Sequence, residues 1–222
     1  MRRGGMSPIM LLETDNITGG VKMATAVEHD QRRKKILEKS LAVFMNDGFE
    51  NATFQKIADK CGITRTILYL YFKNKKEIFT YSIKQLLLSA EENIIIIIND
   101  KAMSCIDKIT KIILVVLKLF EKNSQLLSVV SNYLLHLSKG DSDPEVRVRR
   151  RTVKFRRFLS SMMIEGIKTR EIKRINVKTA VNYLYSFIES AIFQLVVLKR
   201  ENLDELKETV IFAVKQFDVN AI

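Results

Sequence analysis

Proline and glycine, the residues that punctuate helices, are nearly missing from this chain: 2 Pro and 8 Gly in 222 residues. Between Pro8 and Pro144 no ring forces a helix to stop. Over the same stretch apolar residues recur three, four and seven positions apart, the spacing of one helical face. With 47% hydrophobic residues the chain can bury a real core, and disorder is not the default. The expectation is an all-α protein of one or two small domains.

The breaks between periodic stretches divide the chain. Residues 1–28 hold Gly4, Gly5, Gly19 and Gly20 and show no apolar period. They read as a flexible leader, with Met23 as an alternative start. A first helix is expected over about 29–47, with Ile36, Leu37, Leu41, Phe44 and Met45 on one face and Gly48 where a helix end favours positive φ. Thr53 and Thr64 can cap two short helices separated by Gly62. Asn74 can cap a long one over about 75–98, whose run Ile94–Ile98 reads as a buried end. Five more helices are expected over about 102–122, 124–138, 144–169, 176–199 and 203–217.

The net charge is +12 and the pI near 9.7, which favours a polyanionic partner. The charge is uneven. Residues 29–80 carry 11 Lys/Arg against 6 Asp/Glu, and residues 141–175 carry 11 against 5. Cys61 and Cys105 make neither a disulfide framework nor a metal spacing, and fit a reducing cytoplasm. No stretch reaches the ~18 uninterrupted apolar residues of a membrane span. The two histidines, His29 and His136, lie far apart, and there is no phosphate-binding Gly loop, zinc spacing or nucleophile elbow. An enzyme is not expected, nor a cofactor or metal.

Residues 54–72, FQKIADKCGITRTILYLYF, have the form of a helix-turn-helix. Ala58 and Cys61 are small enough to let a second helix approach, Gly62 permits a tight turn, and Ile63 can plug the junction. The second helix would bury Ile67 or Leu68 together with Leu70, leaving Arg65, Thr66 and Tyr69 outward. Its N-terminal residues are the ones that enter a major groove, where an Arg fork fits guanine O6 and N7.

Here residues 36–79 resemble the DNA-binding domain of the TetR (tetracycline-repressor) family. The resemblance rests on Ile36, Leu37, Phe44, Gly48, Phe49, Thr53, Ile57, Ala58, Gly62, Leu68, Tyr69, Tyr71, Phe72, Lys75 and Glu77, ending in the stretch LYLYFKNKKE at 68–77. Ser40 and Cys61 stand where Ala is usual, and Thr66 and Ile67 where Gly and Thr are common. The resemblance implies a three-helix DNA-binding domain over 29–75 and a helical-bundle domain over 76–222 for ligand binding and dimerisation. It implies a repressor that a small-molecule effector releases from a palindromic double-stranded operator. Within that frame Thr53, Thr64, Tyr69, Tyr71 and Lys75 are candidate phosphate or register contacts. Arg65 and Thr66 are candidate base readers, and the run Arg32, Arg33, Lys34, Lys35 can reach phosphate or the minor groove.

The implied effector pocket draws its candidates from the second domain: Phe120, Tyr133, His136, Phe155, Phe158, Met162, Met163, Tyr183, Phe187 and Phe193. The effector's identity is not written in them. Residues 176–217 carry more apolar surface than one monomer face needs, and pairing with a symmetry mate would make a four-helix bundle homodimer. Arg147, Arg150, Arg151, Lys154 and Arg157 read as a solvated face or an anion site. The rival to a regulator is a basic helical protein that binds a membrane surface or a protein partner. It accounts for the charge but not for the ordered motif.

Overall fold

The computed structural model describes the backbone of residues 14–136 and 142–221 and the side chains of residues 27–136 and 150–221. Among these the chain forms nine α-helices: α1 (Thr14–Asn51), α2 (Phe54–Cys61), α3 (Arg65–Tyr71), α4 (Lys75–Asn99), α5 (Cys105–Lys122), α6 (Ser124–Leu135), α7 (Ser142–Lys168), α8 (Val177–Val196) and α9 (Asp204–Lys215). The one extended pairing among them is an isolated antiparallel bridge between Ile172 and Asp218. No helix among the described residues is long and apolar enough to cross a membrane.

Helices α4 to α9 begin and end within three residues of their expected limits. The start of α1 does not. Residues 14–28, expected as a leader, are helical, and only residues 1–13 of that leader lie outside the described residues. Once a packed segment has nucleated a helix, each added residue gains a hydrogen bond at little cost. The stretch Val21–Glu28 (VKMATAVE) offers good helix formers without needing an apolar period. At Gly48 the helix kinks, with φ 74° and ψ 172°. The positive φ is what the sequence called for, but ψ is extended rather than helical.

The chain divides into two compact units. Of the described residues, one takes in those up to Val43 together with Ala52–Ser82; the other takes in Phe44–Asn51 and those from Ile83 on. The first unit buries Ile36 and Leu37 of α1, Ile57 and Ala58 of α2, Leu68 of α3, and Ile78 and Phe79 of α4. Its two buried hydroxyls are satisfied. Ser40 Oγ donates to Ile36 O at 2.6 Å, and Ser82 Oγ donates to Leu37 O at 2.9 Å, tying α4 to α1.

The second unit is built around α5, whose Ile109, Ile112, Ile113 and Leu117 are fully buried against residues of α7, α8 and α9. The α7–α8 loop folds back to bury Ile172. Gly166 makes room for it: a Cβ there would lie 2.5 Å from Ile172 Cδ1 and 3.0 Å from Cys105 Cβ. Two carboxylates satisfy helix starts from outside. Glu171 accepts from the Cys105 amide at 2.6 Å, and Glu121 accepts from the Leu203 amide at 2.9 Å while pairing with Lys207 at 2.8 Å. The run Ile94–Ile98 is not uniformly buried. Ile94 enters the core, whereas Ile95 and Ile96 are 47% and 67% exposed. Consecutive helical residues turn by about 100°, so five in a row cannot share a face.

Candidate nucleic-acid interface

Each short helix of the first unit is delimited by its own chemistry. Thr53 Oγ1 accepts from the Lys56 amide at 3.2 Å and opens α2. Gly62 closes α2 at φ 70°, ψ 36°, the left-handed region that L side chains disfavour, and its amide donates to Ala58 and Asp59. Thr64 Oγ1 accepts from the Ile67 amide at 3.3 Å and opens α3. Asn74 Oδ1 accepts from the Glu77 amide at 2.8 Å, while Glu77 reaches back to the Lys73 amide at 2.6 Å, a reciprocal cap that starts α4. These closures hold two helices of eight and seven residues in place, lengths too short to be stable alone.

Helix α3 turns Leu68 fully inward and leaves Arg65, Thr66 and Tyr69 exposed, as the motif requires. Leu70 corrects the sequence reading: it is 74% exposed, not buried. Two residues on from Leu68 it lies about 160° away around the helix, next to Thr66 on the outer face. Ile67 and Tyr71 are half-buried in its stead. Phe54 and Cys61 of α2 are half-buried. Burial pushes the Cys61 thiol above its usual value, with the Lys39 charge pulling it partly back, so the thiol is a poor nucleophile.

Aromatic stacking orders this face in ways that residue spacing did not reveal. The Tyr69 ring stacks on Phe54 with centroids 4.5 Å apart and planes 25° off parallel. Arg65 Nη2 donates to the Tyr69 hydroxyl at 3.1 Å. Tyr71 stacks on His29 of α1 at 4.5 Å. Arg33 is held between rings, 4.9 Å from the Phe72 centroid and 4.4 Å from that of Tyr81, so one member of the basic run is committed to internal packing. Arg32, Lys34 and Lys35 remain exposed, as do Lys56, Lys60 and Lys73; Lys75 is half-buried. The i, i+4 spacing of Arg65 and Tyr69 was the one legible hint of this order.

The candidate pocket residues of the second unit fall into different settings. Met162, Met163 and Phe187 are buried, and Phe120, Phe155 and Phe158 pack against the same core. Tyr133 is half-buried on Phe49 at 4.4 Å. His136 is exposed, its Nδ1 2.7 Å from Asn132 O. Tyr183 and Phe193 are 49% and 53% exposed. Tyr183 lies on an open cleft of about 390 Å³ between α8 and α9, with Thr179, Gln216 and Phe217. The basic run of α7 is partly spent within the unit: Arg151 and Lys154 both pair with Glu91 of α4. Arg150 and Arg157 are exposed, and the side chain of Arg147 lies outside the described residues.

Residues 36–81 match the family model for bacterial regulatory proteins of the tetR family. The HTH-type transcriptional regulator SrpR of Pseudomonas putida is 39% identical over 54 residues, 24% of this chain and 25% of that protein's own length. The fatty acid metabolism regulator protein of Bacillus subtilis is 25% identical over 168 residues, 73% of this chain and 84% of the relative. Among solved structures, the transcriptional regulator FadR of Bacillus subtilis in complex with stearoyl-CoA superposes with a TM-score of 0.67 at 22% identity, covering 85% of this chain and 98% of that one. The helix-turn-helix lies inside the matched segment, so residues 36–81 form a DNA-binding segment of the tetR family of bacterial regulatory proteins, and the chain as a whole shares the fold of that solved regulator.

Proposed function

We propose that the chain is a transcriptional regulator: a homodimer that holds a palindromic operator with α3 and releases it when an acyl-CoA-type effector occupies the second unit. It acts by binding rather than by turnover, and it works in the cytoplasm, where the DNA is. The observation that carries the reading is the outer face of α3, where Arg65 and Thr66 stand exposed in a unit that also exposes Arg32, Lys34 and Lys35 of α1 and Lys56 and Lys60 of α2. Arg65 and Thr66 read base edges, and the exposed Leu70 can pack on thymine methyls. Thr53, Thr64, Tyr71 and Lys75 fix register on the phosphates, and contacts of that kind carry no sequence information.

Support for the effector class comes from the likeness to the regulator solved with stearoyl-CoA and from the apolar lining that Phe120, Phe155, Phe158, Met162 and Phe187 can supply. Support for the dimer comes from α8 and α9, where Tyr183, Phe193 and Phe212 stand 49%, 53% and 67% exposed, an apolar surface that pairing would cover. The test is a mobility-shift titration on the operator. Stearoyl-CoA is expected to weaken binding while free coenzyme A does not, and equal effects of the two would remove the acyl-chain reading. Lys75→Ala is expected to lower the salt slope by about one unit on specific and non-specific DNA alike.

A further inference from the structure

Tyr69 stands on α3 where a phosphate contact would serve, yet its hydroxyl is engaged elsewhere. Arg65 Nη2 donates to it at 3.1 Å, and the guanidinium lies 5.5 Å from the centroid of the same ring. The ring is itself fixed by stacking on Phe54, the first residue of α2. Among the described residues no carboxylate lies within ion-pair distance of Arg65. A chain of three side chains therefore runs from the start of α2 to the start of α3: Phe54 holds the Tyr69 ring, and the Tyr69 hydroxyl holds the Arg65 fork.

We propose that Tyr69 is a positioning residue for base reading, acting through Arg65 and braced by Phe54, and not a phosphate anchor. An arginine side chain is long and loses much rotamer freedom when it pairs with a base. Holding one end of the guanidinium in advance leaves the other N–H donors of this exposed side chain to pair with a base. Two of them suffice for the bidentate match to guanine O6 and N7. Positioning of this kind sharpens discrimination at a single base position. A phosphate contact instead raises affinity for every sequence equally. The inference rests on the reading of α3 as the DNA-reading helix.

The test starts from the operator that the purified protein selects from a randomised duplex library. Single-base variants of that operator are then titrated with wild type, Arg65→Ala, Tyr69→Phe and the double variant. Tyr69→Phe keeps the ring and its stack and removes only the hydroxyl. Arg65→Ala is expected to flatten the preference at one palindromically related pair of positions. Tyr69→Phe is expected to narrow the preference at that same pair by about threefold to tenfold, the range of one hydrogen bond. It is expected to have no further effect in the Arg65→Ala background. Phe54→Leu, matched to wild type in thermal melting, is expected to narrow the same pair. A Tyr69→Phe loss spread over all sequences with a reduced salt slope, or one that persists in full beside Arg65→Ala, overturns the proposal. A wild type that enriches no sequence overturns it together with the DNA-reading assignment beneath it.

Discussion

Gly62 and Gly166 are both required, for opposite reasons. At Gly62 nothing lies within 4 Å of an added Cβ, so space is free, but φ is 70°. Gly62→Ala is expected to cost about 1–2 kcal/mol through backbone strain alone, read as a lower melting temperature. Gly166 lies inside α7, and its constraint is the buried Ile172 pressed against it. Gly166→Ala is expected to cost about 1–3 kcal/mol by overpacking. Ile172→Val, which removes the crowding Cδ1, is expected to recover part of that loss, giving a coupling that Gly62→Ala does not share. If Gly166→Ala and Ile172→Val destabilise additively, the steric account fails. Gly62 was legible in the sequence because a turn between two periodic stretches needs such a residue. Gly166 was not, since its neighbour arrives from a loop folded back across α7.

Whole elements were read from periodicity and capping; the errors are the start of α1, which needed no apolar period to be helical, and the places where one face had to be chosen. Thr53, Thr64 and Asn74 cap helices as their side chains suggest. Leu70 was assigned inward because it is apolar, while the turn of a two-turn helix puts it outside. Likewise Ile95 and Ile96 point outward from α4 because five consecutive isoleucines must circle it. The stacks of Phe54 on Tyr69 and His29 on Tyr71 join separate elements, so no local pattern encodes them. The start of α9 offers a measurable consequence. Hydrogen bonds from Lys207 to Glu121 and then to Asp204 hold its ammonium above the ordinary lysine value of 10.5. A group whose folded pKa is raised contributes its full stability below the unfolded value and loses it as pH rises through the folded one. The stability gap between wild type and Lys207→Met is therefore expected to stay constant up to about pH 10 and to shrink above it, followed by chemical denaturation. A gap that shrank between pH 5 and 8 would contradict this pairing.

At the scale of the molecule, the fold class and the family were legible because a short motif and a helical remainder agree with one another. The effector was not, because apolar residues at helical spacing serve a core and a pocket alike; Met162 and Phe187 are buried whichever they line. The exposed rings on α8 and α9 predict a homodimer of twice the 25.6 kDa chain mass. Phe193→Asp with Phe212→Asp is expected to give monomers by sedimentation, with operator affinity falling as the two half-sites lose their link. An unchanged mass would move the interface elsewhere. Selection from a randomised duplex library asks whether α3 reads DNA. If it does, two inverted half-sites about one helical turn apart, or a multiple of it, are enriched, with an affinity that falls steeply and log-linearly as salt rises. Recovery of no preferred sequence, with equal binding to all duplexes at every salt concentration, would contradict it.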